Sequence, residues 1–322
     1  MKTNSKKIVN TILKLVITSL ILIFIYLKFD VDFLDAFSKC SPIYLFFACM
    51  LRIFISPLIY INRWRAFLRY AGINEKFFSL LKISMKAAFI GIVLPSSQGA
   101  DIMRMVMIEK KHNTTSLRYT ASTTVLMERI IGFVLLAMMG LVFSLLVDFP
   151  NKYHVVMLIL LINLALWLAI VILTNNKLFS IFSSLLSRCS KFQKLSDFFV
   201  KTYNSFVNYP YRKILLPTVT LILLLQIVTV IIVYLVFLAF GVNLPFTQHL
   251  AFYPIIAILS IIPISISGLG IREGFFVYFY SLVGVSAEIS MSVSLVNYFI
   301  EIVLMAILGS GVYLYDSIKS MR

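Results

Sequence analysis

Long apolar runs separated by short basic stretches organise this chain. The runs at Ile8–Leu27, Pro42–Ile61, Thr120–Val147, Val155–Leu173, Ile214–Phe240 and Ile289–Tyr315 each approach or exceed the roughly 20 apolar residues that a helix needs to cross a bilayer. Four shorter stretches come in two pairs: Phe77–Leu94 with Asp101–Lys111, and Leu250–Ile266 with Arg272–Val283. Each limb is too short or too charged to span alone, so each pair is predicted to form a re-entrant helical hairpin.

The two hairpins share a pattern at their turns. The first reads Pro95-Ser-Ser-Gln-Gly-Ala-Asp-Ile-Met-Arg104 and the second Pro263-Ile-Ser-Ile-Ser-Gly-Leu-Gly-Ile-Arg272. The same interval then leads from Arg104 to Arg129 and from Arg272 to Asn297, polar residues inside long apolar helices. Proline and glycine beside an arginine at membrane depth predict broken backbone lining a cavity, because lipid cannot satisfy exposed peptide groups. Broken segments at matching places in two halves of a chain point to a transporter's central site.

Charge placement orients the runs. With Lys2, Lys6 and Lys7 in the cytoplasm, Arg63, Arg65, Arg69, Lys76, Lys110 and Lys111 fall on the same side, as does the basic stretch Thr174–Lys213. The loops Asp148–His154 and Gly241–His249 then lie outside with a single lysine, as the positive-inside rule requires. This parity holds only if Phe77–Lys111 re-enters instead of crossing. It predicts an all-α polytopic bundle with cytoplasmic termini, in which residues 42–147 and 214–315 are inverted-topology repeats. Residues 174–213 carry Leu178, Ile181, Phe182, Leu185 and Leu186 at helical spacing among lysines, the pattern of cytoplasmic interfacial helices.

Composition agrees with one transmembrane domain over residues 1–322. Only 13% of the residues are charged against 61% hydrophobic, too little charge to cover a soluble surface. The net charge of +16 sits in short loops, which suits anionic phospholipids and argues against nucleic acid as a partner. Met1–Lys7 precedes an apolar run without a small-residue cleavage site, so the first run is expected to remain as an anchor. Cys40, Cys49 and Cys189 are too scattered for a disulfide framework or a zinc site. His112, His154 and His249 fall in predicted loops, and no nucleophile–base pair emerges. No catalytic residue, metal or cofactor is expected.

The intramembrane charges carry the candidate chemistry. Arg104 and Arg272 are suited to a phosphate clamp, since a guanidinium matches phosphate oxygens bidentately and the second limb of each hairpin presents a helix N-terminus. The alternative is a structural salt bridge to Glu128, Glu273 or Glu301. Glu128 and Arg129 point about 100° apart on one helix and should seek different partners. Glu301 suits either a salt bridge or a coupling proton. Arg52, alone in its span, is a candidate because such residues rarely lack a role. Lys82 and Lys86 form a headgroup-facing stripe.

At Asn62-Arg-Trp-Arg-Ala-Phe-Leu-Arg-Tyr-Ala-Gly72, Leu94-Pro-Ser-Ser-Gln-Gly-Ala-Asp-Ile-Met-Arg104, Glu128-Arg-Ile-Ile-Gly132 and Ser265-Ile-Ser-Gly-Leu-Gly-Ile-Arg-Glu-Gly274 the chain resembles the lysylphosphatidylglycerol synthase transmembrane-region family, also called the flippase-like domain family. The resemblance implies a domain that moves a phospholipid or an isoprenoid-linked lipid between leaflets of the cell membrane. Two positions depart from the family pattern: Gln98-Gly-Ala replaces paired glycines, and Asn297 stands where related chains often carry arginine. Relatives that make aminoacylated lipids carry a soluble domain after the membrane part, whereas this sequence stops at Arg322, soon after its last apolar run. A translocase without chemistry of its own is therefore expected. The alternatives are a membrane-embedded transferase and a non-catalytic partner of an envelope-synthesis enzyme. The expected lipid-phosphate ligands are Arg104, Arg272, Arg129, Gly99, Gly268, Gly270 and Asp101, supported by Glu128, Glu273, Asn297, Glu301 and Arg52.

The topology is directly measurable. Single cysteines at Lys152 and Asn243 should react with an impermeant thiol reagent from outside, and one at Lys191 only from inside. Outside labelling at Lys191 would dissolve the repeat assignment.

Overall fold

A computed structural model describes residues 40–91, 99–112, 115–187, 203, 211–261 and 269–321. Among the described residues the chain is helical and has no strands. Its helices are α1 (Pro42–Tyr70), α2 (Phe77–Gly91), α3 (Gly99–His112), α4 (Thr115–Leu146), α5 (Lys152–Thr174), α6 (Asn176–Ser187), α7 (Tyr211–Ala239), α8 (Phe246–Leu259), α9 (Ile271–Ser281) and α10 (287–321). Five of them, α1, α4, α5, α7 and α10, contain stretches long and apolar enough to cross a membrane. The chain is an integral membrane protein. The expected first span, Ile8–Leu27, lies outside the described residues, as do the expected hairpin turns at Pro95 and Gly268.

Two departures from the expected elements have clear causes. The helix begun at Pro42 continues through Asn62–Tyr70, a stretch expected to be loop. Trp64, Phe67 and Leu68 are buried there while Asn62, Arg69 and Tyr70 face outward, so amphipathic packing prolongs the helix past its apolar run. His249, expected in a loop, sits inside α8 and is fully buried, its Nδ1 3.0 Å from the Tyr280 hydroxyl. It is enclosed by Tyr234, Phe237 and Tyr280.

Two long helices each contain one turn of π geometry, Leu51–Ile55 in α1 and Phe299–Val303 in α10. A π turn widens the helix by one residue and is found disproportionately at functional sites. Arg52 lies in the first and Glu301 in the second.

Among the short helices α2 packs against α3 and α8 against α9. At 1.5 Å per residue, α2, the longest of them, extends about 22 Å, well short of a hydrocarbon core of about 30 Å. Residues His249–Ile256 of α8 are buried on every side, which marks a helix enclosed by protein. Gly91 closes the first pair: a Cβ there would sit 2.6 Å from Ala100 Cα, so only glycine lets α2 end against the start of α3. In the second pair Gly270, at φ +86°, turns the chain into α9, and the Glu273 carboxylate caps its N–H at 2.5 Å.

The first limb of each pair packs on the last long helix of the other half. α2 lies along the C-terminal part of α10, and α8 lies along α4. Both contacts pass over a glycine. Gly140 of α4 meets Pro254 and Ile255 of α8, while Gly309 of α10 meets the backbone of α2 at Met85. The main core, built on α7, α8 and α9 with Phe237, Phe252, Phe276 and Tyr280, joins the halves.

Gly309→Ala tests this arrangement. Its new Cβ would lie 2.8 Å from the Met85 carbonyl carbon, and backbone cannot swing aside as a side chain does. A loss of about 1–3 kcal/mol is expected, the usual cost of overpacking, read as a lowered thermal midpoint in detergent. Gly311→Ala, with nothing within 4 Å of the added carbon, should leave the midpoint unchanged.

Candidate functional site

A ladder of alternating charges runs between α1, α3 and α4. Arg63 on α1 pairs with one oxygen of Glu128 on α4, and Arg104 on α3 lies 3.1 Å from the other. Arg104 Nε is 3.0 Å from Asp101 one turn earlier, and the second oxygen of Asp101 pairs with Arg129 of α4. Glu128 and Arg129, adjacent in sequence, thus take different partners, as their angular separation requires. Arg104, Asp101 and Glu128 are all buried, and the ladder's three arginines and two carboxylates leave one uncompensated positive charge.

Aromatic faces complete the enclosure. The Arg104 guanidinium stands 5.1 Å from the ring centres of both Tyr60 and Trp64, and Arg63 stands 5.3 Å from Tyr60. Cation–π attraction strengthens when water is excluded. Even so, none of the three Arg104 nitrogens completes a well-directed hydrogen bond. It is held by charge proximity more than by geometry.

Beside the ladder lies a cavity of about 260 Å³. Its polar lining includes Arg52, Tyr60 and Ser84, the first turn of α3 from Gly99 to Asp101, Arg129 and Glu301. Its apolar wall comes from residues such as Leu81, Met85, Leu225 and Met305. Arg129 presents a side chain that is 40% exposed, and among the described residues the buried Nε atoms of Arg129 and Arg52 have no hydrogen-bond partner. The first N–H groups of a helix lack intrahelical acceptors and carry partial positive charge. The start of α3 and two arginines therefore make one side of the cavity receptive to an anion, although the Asp101 carboxylate shares it.

The second half is built differently. Arg272 donates through Nη2 to Glu273 at 2.5 Å and through Nε to Ser294 at 3.1 Å, with Tyr298 stacked 4.6 Å from its guanidinium carbon. The Ser294 hydroxyl donates in turn to Glu273 at 3.1 Å. Asn297 is fully buried with both amide atoms unpartnered. Glu301 accepts from the Tyr253 hydroxyl of α8 at 3.1 Å, while its backbone carbonyl accepts from Arg52 Nη2 at 2.8 Å. Arg52 and Arg272 both lie within electrostatic reach of Tyr253.

The cavity thus gathers Arg129, Asp101, Gly99, Arg52 and Glu301 from the expected set. Arg104 and Glu128 stand behind Asp101 and Arg129. Arg272, Glu273 and Gly270 form a separate cluster at the start of α9, and Asn297 is buried in α10. Neither Arg104 nor Arg272 is part of the described cavity lining. Three contributors escaped the sequence: Tyr60, Trp64 and Arg63. The i, i+3, i+4 spacing of Tyr60, Arg63 and Trp64 places them on one helical face and was the available signal. Arg63 instead read as one of several loop cations.

Comparison with known proteins matches residues 11–309 to a family described as lysylphosphatidylglycerol synthase TM region. Two curated relatives, both described as UPF0104 membrane protein and both from Methanothermobacter thermautotrophicus, are similar over most of their length. One is 23% identical over 288 residues, covering 83% of this chain and 81% of the relative. The other is 22% identical over 292 residues, covering 85% and 86%.

Glu128 is the ladder's shared rung. Glu128→Gln removes the charge facing both Arg63 and Arg104, and breaking a buried ion pair on one side typically costs about 3–5 kcal/mol. A marked fall in thermal midpoint is expected, with Glu128→Asp intermediate. An unchanged midpoint would mean that Asp101 alone suffices to hold Arg104.

Proposed function

The chain belongs to the lysylphosphatidylglycerol synthase TM region family, and from that premise we propose that it is a lipid translocase, binding a phosphate-bearing headgroup in the cavity while the tails stay in the bilayer. One observation carries this reading. The start of α3 and the unpartnered Nε atoms of Arg52 and Arg129 meet in a cavity walled largely by apolar side chains. Its volume falls just below the roughly 300–1,000 Å³ of sites for drug-sized ligands, a size suited to a headgroup without its chains.

Arg129 and Arg52 are the direct anion ligands in this reading. Arg104 positions Asp101 and supplies the surplus positive charge behind them, and Arg272 anchors the second half. The reciprocal packing of α2 on α10 and α8 on α4 supports two inverted repeats, each with a re-entrant hairpin. Rocking one repeat against the other, with both termini in the cytoplasm, would open the cavity to each leaflet in turn.

The test is movement of a fluorescent phosphatidylglycerol in proteoliposomes of phosphatidylcholine and phosphatidylglycerol. Arg129→Ala and Arg52→Ala are each expected to slow leaflet exchange at least about tenfold, the effect of losing one charge-assisted contact worth about 1.4 kcal/mol or more. Lysine at 129 should restore little, because a point charge lacks the planar fork. Exchange at the wild-type rate by both folded alanine variants would remove the anion site from the cavity.

A further inference from the structure

Four carboxylates, Asp101, Glu128, Glu273 and Glu301, belong to the arginine clusters and the cavity described above, and three of them face arginine. Asp101 is held by Arg104 and Arg129, Glu128 by Arg63 and Arg104, and Glu273 by Arg272. Glu301 differs. Among the described residues no basic side chain lies within ion-pair distance of its carboxylate, which has the Tyr253 hydroxyl as its hydrogen-bond partner. The nearby cation, Arg52, donates through Nη2 to the Glu301 backbone carbonyl instead of to its carboxylate. Glu301 also lines the cavity and sits in a π turn. We propose that Glu301 binds the proton that couples lipid movement to a proton gradient, an inference that rests on the cavity being the headgroup site.

The reason lies in what surrounds that carboxylate. From α1 come Arg52 and Tyr60, from α3 Asp101 and from α4 Arg129, all lining the same cavity. From α8 comes Tyr253, with Arg272 of α9 in electrostatic reach of it, and Tyr298 on α10 itself is occupied by Arg272. The lysines of α2 are turned away, Lys82 and Lys86 both engaging Asp316. α7 contributes Gln226, which donates to the Gly132 carbonyl. A phosphate arriving at Arg52 and Arg129 takes the remaining cationic capacity of the cavity and sets a second anion near Glu301. Like charges sharing one site disfavour the doubly ionised state.

A proton on a Glu301 oxygen relieves that repulsion. The protonated acid becomes a hydrogen-bond donor while retaining acceptor capacity, and the Tyr253 hydroxyl, itself donor and acceptor, can serve either state. The balance is simple. One proton passes from water on one side to Glu301 as the headgroup binds, and it leaves to water on the other side as the headgroup departs. Lipid and proton move together.

The experiment uses the full chain in proteoliposomes of phosphatidylcholine and phosphatidylglycerol, with fluorescent phosphatidylglycerol as probe and a pH dye in the lumen. With an imposed gradient of about one pH unit, wild type should drive the probe toward an about tenfold leaflet asymmetry, the ratio set by one coupled proton. Probe-dependent proton flux should accompany it. Glu301→Gln, checked for an unchanged thermal midpoint, should lose both the asymmetry and the flux. Wild-type exchange that stays symmetric under the gradient, without proton flux, would overturn the coupling and leave the translocase reading standing. Asymmetry in folded Glu301→Gln equal to wild type would overturn the assignment to this residue. No probe movement by wild type, with or without a gradient, would overturn the translocase reading and the coupling with it.

Discussion

A charge buried among packed helices must keep an opposite charge against it, and the first half of this bundle is arranged around that demand. Arg104, only 1% exposed, is the clearest case. It draws Asp101 from its own helix and Glu128 from α4, and Glu128 in turn draws Arg63 from α1. Three helices are thereby fixed at one level, and the aromatic faces of Tyr60 and Trp64 fill the space that water would otherwise take. Stability alone does not require such a ladder, since well-packed apolar residues can replace a buried ion pair at little cost. Its value lies in fixing Asp101 and Arg129, which reach the cavity.

The two halves satisfy the same demand by different means. In the second, Glu273 follows Arg272 directly, so one carboxylate caps the α9 N-terminus, pairs with the arginine and accepts from Ser294. That compact solution needs no charged partner from another helix. Among the described residues it leaves Asn297 and Glu301 on α10 without cations at their side chains. The asymmetry places most of the cationic capacity on the first half and an unpaired carboxylate on the other, with the cavity between them.

Much of this was legible in the chain. Long apolar runs are unambiguous, and five of the six expected spans correspond to apolar helices of sufficient length, the sixth lying outside the described residues. That short helices stand between the long ones followed from the length of the apolar runs. The extent of α1 did not, because Asn62–Tyr70 is too polar to read as a span and becomes helical through one buried face. The sequence raised Glu128 and Glu273 as possible partners of Arg104 and Arg272, but it could not choose between salt bridge and anion clamp. That choice depends on which helices touch. Neither the crossing of α2 onto α10 nor the π turns at Arg52 and Glu301 leaves a periodic signal. His249 was misplaced for a related reason: a histidine at the end of an apolar run looks like a loop residue until its aromatic enclosure is visible.

The π turns connect these observations. In each, the helix is widened by one residue where a charged side chain meets the cavity, and the Arg52 guanidinium bonds to the carbonyl of Glu301 across the two halves. An ordinary α-helical carbonyl is already engaged by the amide four residues on, whereas a π turn loosens that ladder and offers an acceptor. Arg52 can therefore be anchored without neutralising a carboxylate. This leaves Glu301 with Tyr253 as its polar partner and Arg52 with a free Nε, so both keep capacity for something that enters. A direct Arg52–Glu301 salt bridge would instead have set the two opposite charges against each other and left less of either for an outside ligand.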